Sequence, residues 1–228
     1  MQTSSSQGVT LRACAALTAT LCDAPCALAE ARPDIDLFNS IPHTLIDFET
    51  RGDGTPVGLP QGQTDTFDHD EYISFGVRFG GFRPRWANPS APEVDAAQTI
   101  GGSGEIFLSL NASLASPPVM VFPDRIRSVG FFFVLDNTII RPTPMTVLVS
   151  LSGEIVEQVL IDESFVTGTI GFIDYGWVTI TRPEDFSAIT FLHNEGVIFD
   201  DLRFSNIPSP GAAPVLILAV VPVALRRR

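Results

Sequence analysis

Between Met145 and Ile161 the chain alternates. Thr146, Leu148 and Ser150 point one way and Val147, Val149 and Leu151 the other, and Ile155–Ile161 forms a second apolar-rich run. Successive side chains of a strand face opposite sides of a sheet, so the pattern predicts two strands. The intervening Leu151-Ser152-Gly153-Glu154 predicts a hairpin turn. Short runs rich in β-branched and aromatic residues, bounded by Gly, Pro, Asn or Asp, recur at Thr44–Phe48, Tyr72–Phe79, Glu105–Leu110, Arg125–Leu135, Trp177–Thr181, Ala188–His193 and Val197–Phe204. No stretch of about ten residues in this region keeps a helical period without a Gly or Pro. The expected fold is all-β: a single antiparallel two-sheet jelly-roll sandwich over residues 44–206, with a linker at 30–43. In the last run, strict alternation places Asp200 on the same face as Ile198, Leu202 and Phe204, the expected core face.

Two apolar stretches do not fit a sheet. Ala13–Leu21 follows Arg12 and precedes Ala27-Leu28-Ala29, the small-x-small pattern of a signal peptidase site, so residues 1–29 read as a secretory leader. Ala212–Leu225 is an apolar run of 14 residues closed by Arg226-Arg227-Arg228. As a helix it would reach roughly 21 Å, short of a hydrocarbon core of about 30 Å, which suits a transient membrane segment better than a permanent anchor. Pro214 and Pro222 sit near its ends.

Composition narrows the chemistry. All three cysteines, Cys14, Cys22 and Cys26, fall in the leader, so a mature domain has no disulfide, thiol nucleophile or cysteine-based zinc site. Residues 30–206 hold 10 Arg against 25 acids, a formal charge of −15. That balance excludes a phosphate-binding nucleic-acid surface, which needs cationic neutralisation, and suits solubility and cation binding.

The tail, Ile207-Pro208-Ser209-Pro210-Gly211 followed by the apolar run and the Arg triplet, resembles a PEP-CTERM sorting signal, with Pro208, Pro210, Arg226, Arg227 and Arg228 as its landmarks. Ser209 stands where that family usually has Glu. The resemblance implies export to the envelope, outer surface or matrix of a Gram-negative-type bacterium. It also implies handling by an exosortase-type processing enzyme. Within the domain, Ile46-Asp47-Phe48-Glu49, Tyr72-x-x-x-Gly76-Val77-x-Phe79 and Phe199-Asp200-Asp201-Leu202-x-Phe204 resemble the lectin-like, galactose-binding-like carbohydrate-binding modules of such proteins. In those modules the first and last strands are neighbours whose acids hold structural calcium, which points to Glu49, Asp200 and Asp201 as ligands. A buried unpaired carboxylate at Asp200 would independently call for a cation, an Arg partner or a hydrogen-bonded turn.

Other chemistry is thinner. Asp65–Glu71 is acidic but lacks the Gly and distal Glu of an EF-hand loop, and reads as solvated. Glu93-Val94-Asp95-Ala96-Ala97-Gln98 resembles the catalytic strand of jelly-roll glucanases, but Gln98 replaces the second carboxyl group that retaining hydrolysis requires. Sugar recognition uses an aromatic platform with polar neighbours; Trp86 is one candidate, Tyr175 with Trp177 another. The expected function is an exported, non-catalytic, carbohydrate-binding-like surface protein whose partner is extracellular polysaccharide. A structural matrix or adhesion protein that binds no sugar is the alternative, and a secreted hydrolase the third.

Overall fold

The computed structural model describes residues 29–80, 84–89, 102, 104–110, 117–136, 145–171, 173–192 and 197–207. Residues 1–28 of the leader, the sorting landmarks Pro208, Pro210, Arg226, Arg227 and Arg228, the segment Glu93–Gln98 and His193 lie outside the described residues. The strands are β1 (Glu30–Arg32), β2 (Thr44–Ile46), β3 (Thr64–Thr66), β4 (Arg78–Gly80), β5 (Arg85–Ala87), β6 (Phe107–Leu110), β7 (Val119–Asp136), β8 (Met145–Leu151), β9 (Glu154–Ile161), β10 (Val166–Ile170), β11 (Ile173–Leu192) and β12 (Val197–Ser205). Three single 3₁₀ turns, at Asp36–Asn39, Ile73–Phe75 and Glu163–Phe165, interrupt them. Every strand pairing is antiparallel, in one hydrogen-bonded sheet of order β3-β5-β6-β12-β7-β11-β8-β9, with β1, β10, β2 and β4 attached at the sides.

Two long strands make that sheet fold over on itself. The second half of β7 lies between β12 and the first half of β11, from Ser128↔Thr181 to Asp136↔Ile173. The first half of β7 lies between β4 and the second half of β11, which continues to β8 and β9. The ladder between β7 and β11 breaks register on either side of Phe186↔Ile126. Pro123 and Pro183 sit in this bend, where the ladder does not ask for their missing N–H. Arg127 Nε donates to Asp185 Oδ1 at 2.6 Å and ties the two bends together. The result is two layers joined by continuous corner strands.

Phenylalanine fills the space between the layers. Phe191 of the β8 layer meets Phe131 and Phe199 of the β12 layer, with ring centroids 5.5 and 4.6 Å apart. A second aromatic group, Phe48, Phe67, Tyr72, Phe79 and Trp86, packs at neighbouring core positions. The segment expected as a linker is part of the fold. β1 pairs with β11 through Ala31↔Ile180, and Phe38 sits on the bare backbone of Gly130, where a Cβ would lie 2.6 Å from its ring.

The hairpin at Leu151–Glu154 is present, and positive φ at Ser152 (53°) and Gly153 (88°) gives the turn whose twist matches its strands. Tyr72–Phe79 is not the strand its pattern predicts. Ile73–Phe75 forms a 3₁₀ turn closed by Gly76 in the left-handed conformation (φ 92°), and only Arg78–Gly80 pairs.

The outer face of the β8 layer follows from register. One row runs Leu160–Thr146–Leu192 across β9, β8 and β11. The next runs Gln158–Leu148–Thr190–Val119, and the third Ile155–Ser150–Ala188–Val121–Arg78, reaching β4.

Candidate functional site

β12 carries the feature from which the site is built. Asp200 pairs with Phe132 and Arg203 with Gly130, so Asp201 and Leu202 together oppose Phe131. This is a β-bulge, and Asp201 takes a left-handed backbone, φ 49°. The extra residue resets the alternation. Phe199, Leu202 and Phe204 face the main core, whereas Ile198 packs against a second apolar cluster on the outer side of the layer. Asp200, two residues from Ile198 and paired with Phe132 of that cluster, therefore lies on the outer side. The expected core-face position of Asp200 beside Leu202 and Phe204 is thus corrected by the bulge, which inverts everything after it.

On that outer side, register brings the candidates together. Asp200, Phe132 and Trp177 form one row across β12, β7 and β11, and Ile198, Val134 and Tyr175 the next. The Trp177 ring is 5.3 Å from Phe132, and the Arg203 guanidinium carbon is 5.2 Å from the Trp177 centroid. Arg203 in turn lies 3.9 Å from Asp201 Oδ2, while Asp200 Oδ1 accepts the Asp201 N–H at 2.8 Å. Asp200 and Asp201 are both buried, Trp177 half-buried. The acids and the aromatic pair, separate candidates in the sequence, are one constellation. It is a half-buried tryptophan with Phe132 against it, the Arg203 guanidinium over its ring and Asp201 3.9 Å from that guanidinium.

Tyr175 supports this surface from within. It is 6% exposed, and its hydroxyl lies against Gly168, where a Cβ would be only 2.3 Å away. Trp86, read from the sequence as a platform, is a core residue. It is fully buried, and its Nε1 donates at 2.9 Å to the Tyr72 hydroxyl, which donates at 2.8 Å to the Thr50 carbonyl. Burial pushes the Tyr72 phenol above its ordinary pKa, so it remains a neutral donor. Short β5, held between β3 and β6, turns the Trp86 ring inward.

Glu49 lies just beyond β2, after Phe48, which is also left-handed (φ 60°), an uncommon conformation for a bulky residue. Its Oε1 accepts the Ile106 N–H at 2.6 Å, and Gly104 passes so close that a Cβ would sit 2.0 Å from that oxygen. Burial raises the Glu49 pKa, the Ile106 and Glu105 amides oppose the rise, and the carboxylates of Asp47 and Glu105 add to it. Among the described residues no three Asp, Glu, His or Cys side chains form a group placed to hold a metal. A cation at Glu49 would therefore draw much of its shell from backbone carbonyls.

A raised carboxyl pKa means that the folded state binds the proton more tightly than the unfolded chain. The associated loss of stability is absent below the ordinary value of 4.5 and grows as pH climbs through the raised value. Glu49→Gln, measured with chelator present, is accordingly expected to raise the melting temperature relative to wild type by an amount that increases above pH 4.5. A difference that shrinks with rising pH would show the carboxylate to be favoured in the fold.

The acidic loop is locally engaged. Asp70 pairs with Arg78 at 2.9 Å, Asp65 with Arg51 at 3.5 Å, and Glu71 accepts the Gly52 N–H at 3.0 Å. At another end of the molecule, an open groove with a volume of about 330 Å³ is lined by His43, Phe75, Asp124, Arg125, Asn206 and Ile207, where the described chain ends.

No protein-family model matches the chain, and no curated protein matches its sequence. Among solved structures it is similar to a cleaved adhesin domain of Lys-gingipain, with 13% identity over 65% of this chain and 94% of that one, at a TM-score of 0.33. It is similar also to a carbohydrate-binding module specific for non-crystalline cellulose, with 13% identity over 65% of this chain and 99% of that one, at a TM-score of 0.31.

Proposed function

We propose that the domain is an exported, non-catalytic, carbohydrate-binding-like module of jelly-roll type that takes polysaccharide on the outer face of its β12 layer. The observation that carries this reading is the Trp177 face beside Arg203. Sugars present C–H faces and rings of hydroxyls, and a half-buried indole bordered by a fixed multi-donor guanidinium matches both. Asp201 Oδ2 lies 3.9 Å from the guanidinium, and Phe132 packs 5.3 Å from the ring. The −15 charge of residues 30–206 supports a neutral rather than a phosphorylated or sulfated glycan. The PEP-CTERM-like tail supports export, exosortase handling and transient membrane association before release at the cell surface.

The test is an array of neutral and acidic glycans probed with the folded protein. Binding to a neutral class that is lost in Trp177→Ala is the expected result. Absence of binding by a protein with an intact melting transition would leave the structural matrix reading in its place.

Structural calcium with Glu49, Asp200 and Asp201 as the expected ligands belongs to the same reading; because no three such side chains form a metal-holding group among the described residues, it would rest on Glu49 and backbone carbonyls. Calcium is expected to raise the melting temperature over that in chelator, and Glu49→Gln to remove most of the response. An identical midpoint with and without calcium would dispose of the site.

A further inference from the structure

Glu157 is an acid turned inward on an otherwise exposed stretch of β9. Val156 and Gln158 on either side are exposed, but the Glu157 side chain is only 13% exposed and lies against Arg182 in the bend of β11. A carboxylate taken out of water needs compensating charge. Arg182, 8% exposed, brings its Nε to 3.2 Å from Oε2 but is not aligned to donate to it, and another of its nitrogens lies 3.7 Å from a second acid, Glu184. Two carboxylates thus share one guanidinium, a deficit of one positive charge. Both Glu157 oxygens close on the backbone nitrogen of Ala29, Oε1 at 2.7 Å and Oε2 at 2.8 Å. Those are the lengths of charge-assisted N–H···O bonds. An amide has a single hydrogen, which points well at one oxygen only; an ammonium has three and serves both.

We propose that Glu157 is the seat of a processed N-terminus: leader removal cuts between Leu28 and Ala29, and the α-ammonium of Ala29 binds the Glu157 carboxylate. The proposal rests on the export reading above, and it places the cut one residue before the position marked by the small-x-small pattern Ala27-Leu28-Ala29. Hydrolysis of the Leu28–Ala29 peptide bond consumes one water, leaves a carboxylate on Leu28 and gives the departing amine the proton. The new ammonium supplies the missing charge, since with Arg182 it sets two cations against Glu157 and Glu184. Ala29 also packs its side chain on the main core, directly ahead of the β1 ladder that starts at Glu30↔Thr181, so strand pairing holds the ammonium in register. A cut after Ala29 would instead strip the inward-turned carboxylate of the nitrogen that both its oxygens hold.

The chain holds no lysine, so this α-amine is its single primary amine and can be followed without interference. The full chain, expressed with its leader in an exporting Gram-negative host, is purified from the envelope and sequenced from its N-terminus. The mature product is expected to begin Ala29-Glu30-Ala31. Acetylation of its amine is expected to run about tenfold slower in the folded protein than after unfolding in urea, because a carboxylate alongside keeps the proton on the nitrogen, and Glu157→Gln to remove most of that protection. Acetylated wild type is expected to melt below the unmodified protein, whereas Glu157→Gln is indifferent to acetylation. A product beginning at Glu30, or at any other residue, overturns the proposal and leaves export standing; a chain that keeps residues 1–28 overturns the leader reading with it. Equal acetylation rates in folded and unfolded wild type, a comparison that needs no variant, would show the amine free in solvent and overturn the seat.

Discussion

Trp177→Ala is expected to weaken glycan binding by about thirtyfold. Truncating a central tryptophan at an interface costs about 2 kcal/mol, and each 1.4 kcal/mol is a factor of ten. The loss falls on binding because of where the ring sits. Trp177 belongs to the satellite cluster with Phe132, Val134, Ile173 and Tyr175, outside the main core between the layers. Removing it also frees the guanidinium of Arg203 from its seat 5.2 Å away, so orientation is lost together with contact area. Trp177→Phe retains a flat ring and should recover most of the affinity. Trp86→Phe supplies the contrast: it breaks the donor to the Tyr72 hydroxyl inside the core and should lower stability without altering glycan preference. Titration calorimetry on a glycan found by the array gives the comparison. Equal affinities for wild type and Trp177→Ala would move the site elsewhere.

Phe191→Ala is expected to lower the unfolding free energy by about 3–5 kcal/mol, a large share of the roughly 5–15 kcal/mol that holds a domain together. Phe191 is 1% exposed and stands between the layers, against Phe131 and Phe199. Its removal leaves a cavity bordered by residues on β7 and β12, strands already fixed by pairing and unable to collapse inward without breaking their ladders. Urea denaturation followed by tryptophan fluorescence measures the change. A loss below about 1 kcal/mol would mean that the layers repack freely, which interlocked aromatic rings do not allow.

Much of the fold is legible in the sequence where one face of a strand is buried and the other wet. Met145–Ile161 is such a region, and its strands and turn follow from alternation and from Ser152-Gly153. Legibility fails where tertiary structure overrides the local pattern. Pro123 and Pro183 look like strand ends, yet β7 and β11 bend through them, so each of these strands is longer than its sequence signal. Tyr72–Phe79 alternates like a strand, but Tyr72 is drawn to Thr50 and Trp86, and Gly76 closes a turn instead. The candidate site shows the same division. Trp177 and Tyr175 share one face, as their spacing requires, and Asp200 is buried, although on the opposite side of the layer from the one expected. A single left-handed residue, Asp201, decides which side of the sheet Asp200 occupies, and nothing in the residue types of β12 announces it. Trp86 was misleading for a simpler reason: β5 is three residues long, too short to show a period.

The placement of β12 has a consequence for how the chain folds as it is made. This strand comes late in the sequence yet lies inside the sheet, between β7 on one side and β6 with β2 on the other. The early strands β2 and β6 thus have no bridge to β7 until residues 197–205 arrive. A chain emerging from the ribosome N-terminus first can close local hairpins such as β8–β9, but it cannot complete the sheet before β12 has emerged. Folding of the whole is thereby postponed until β12 has emerged.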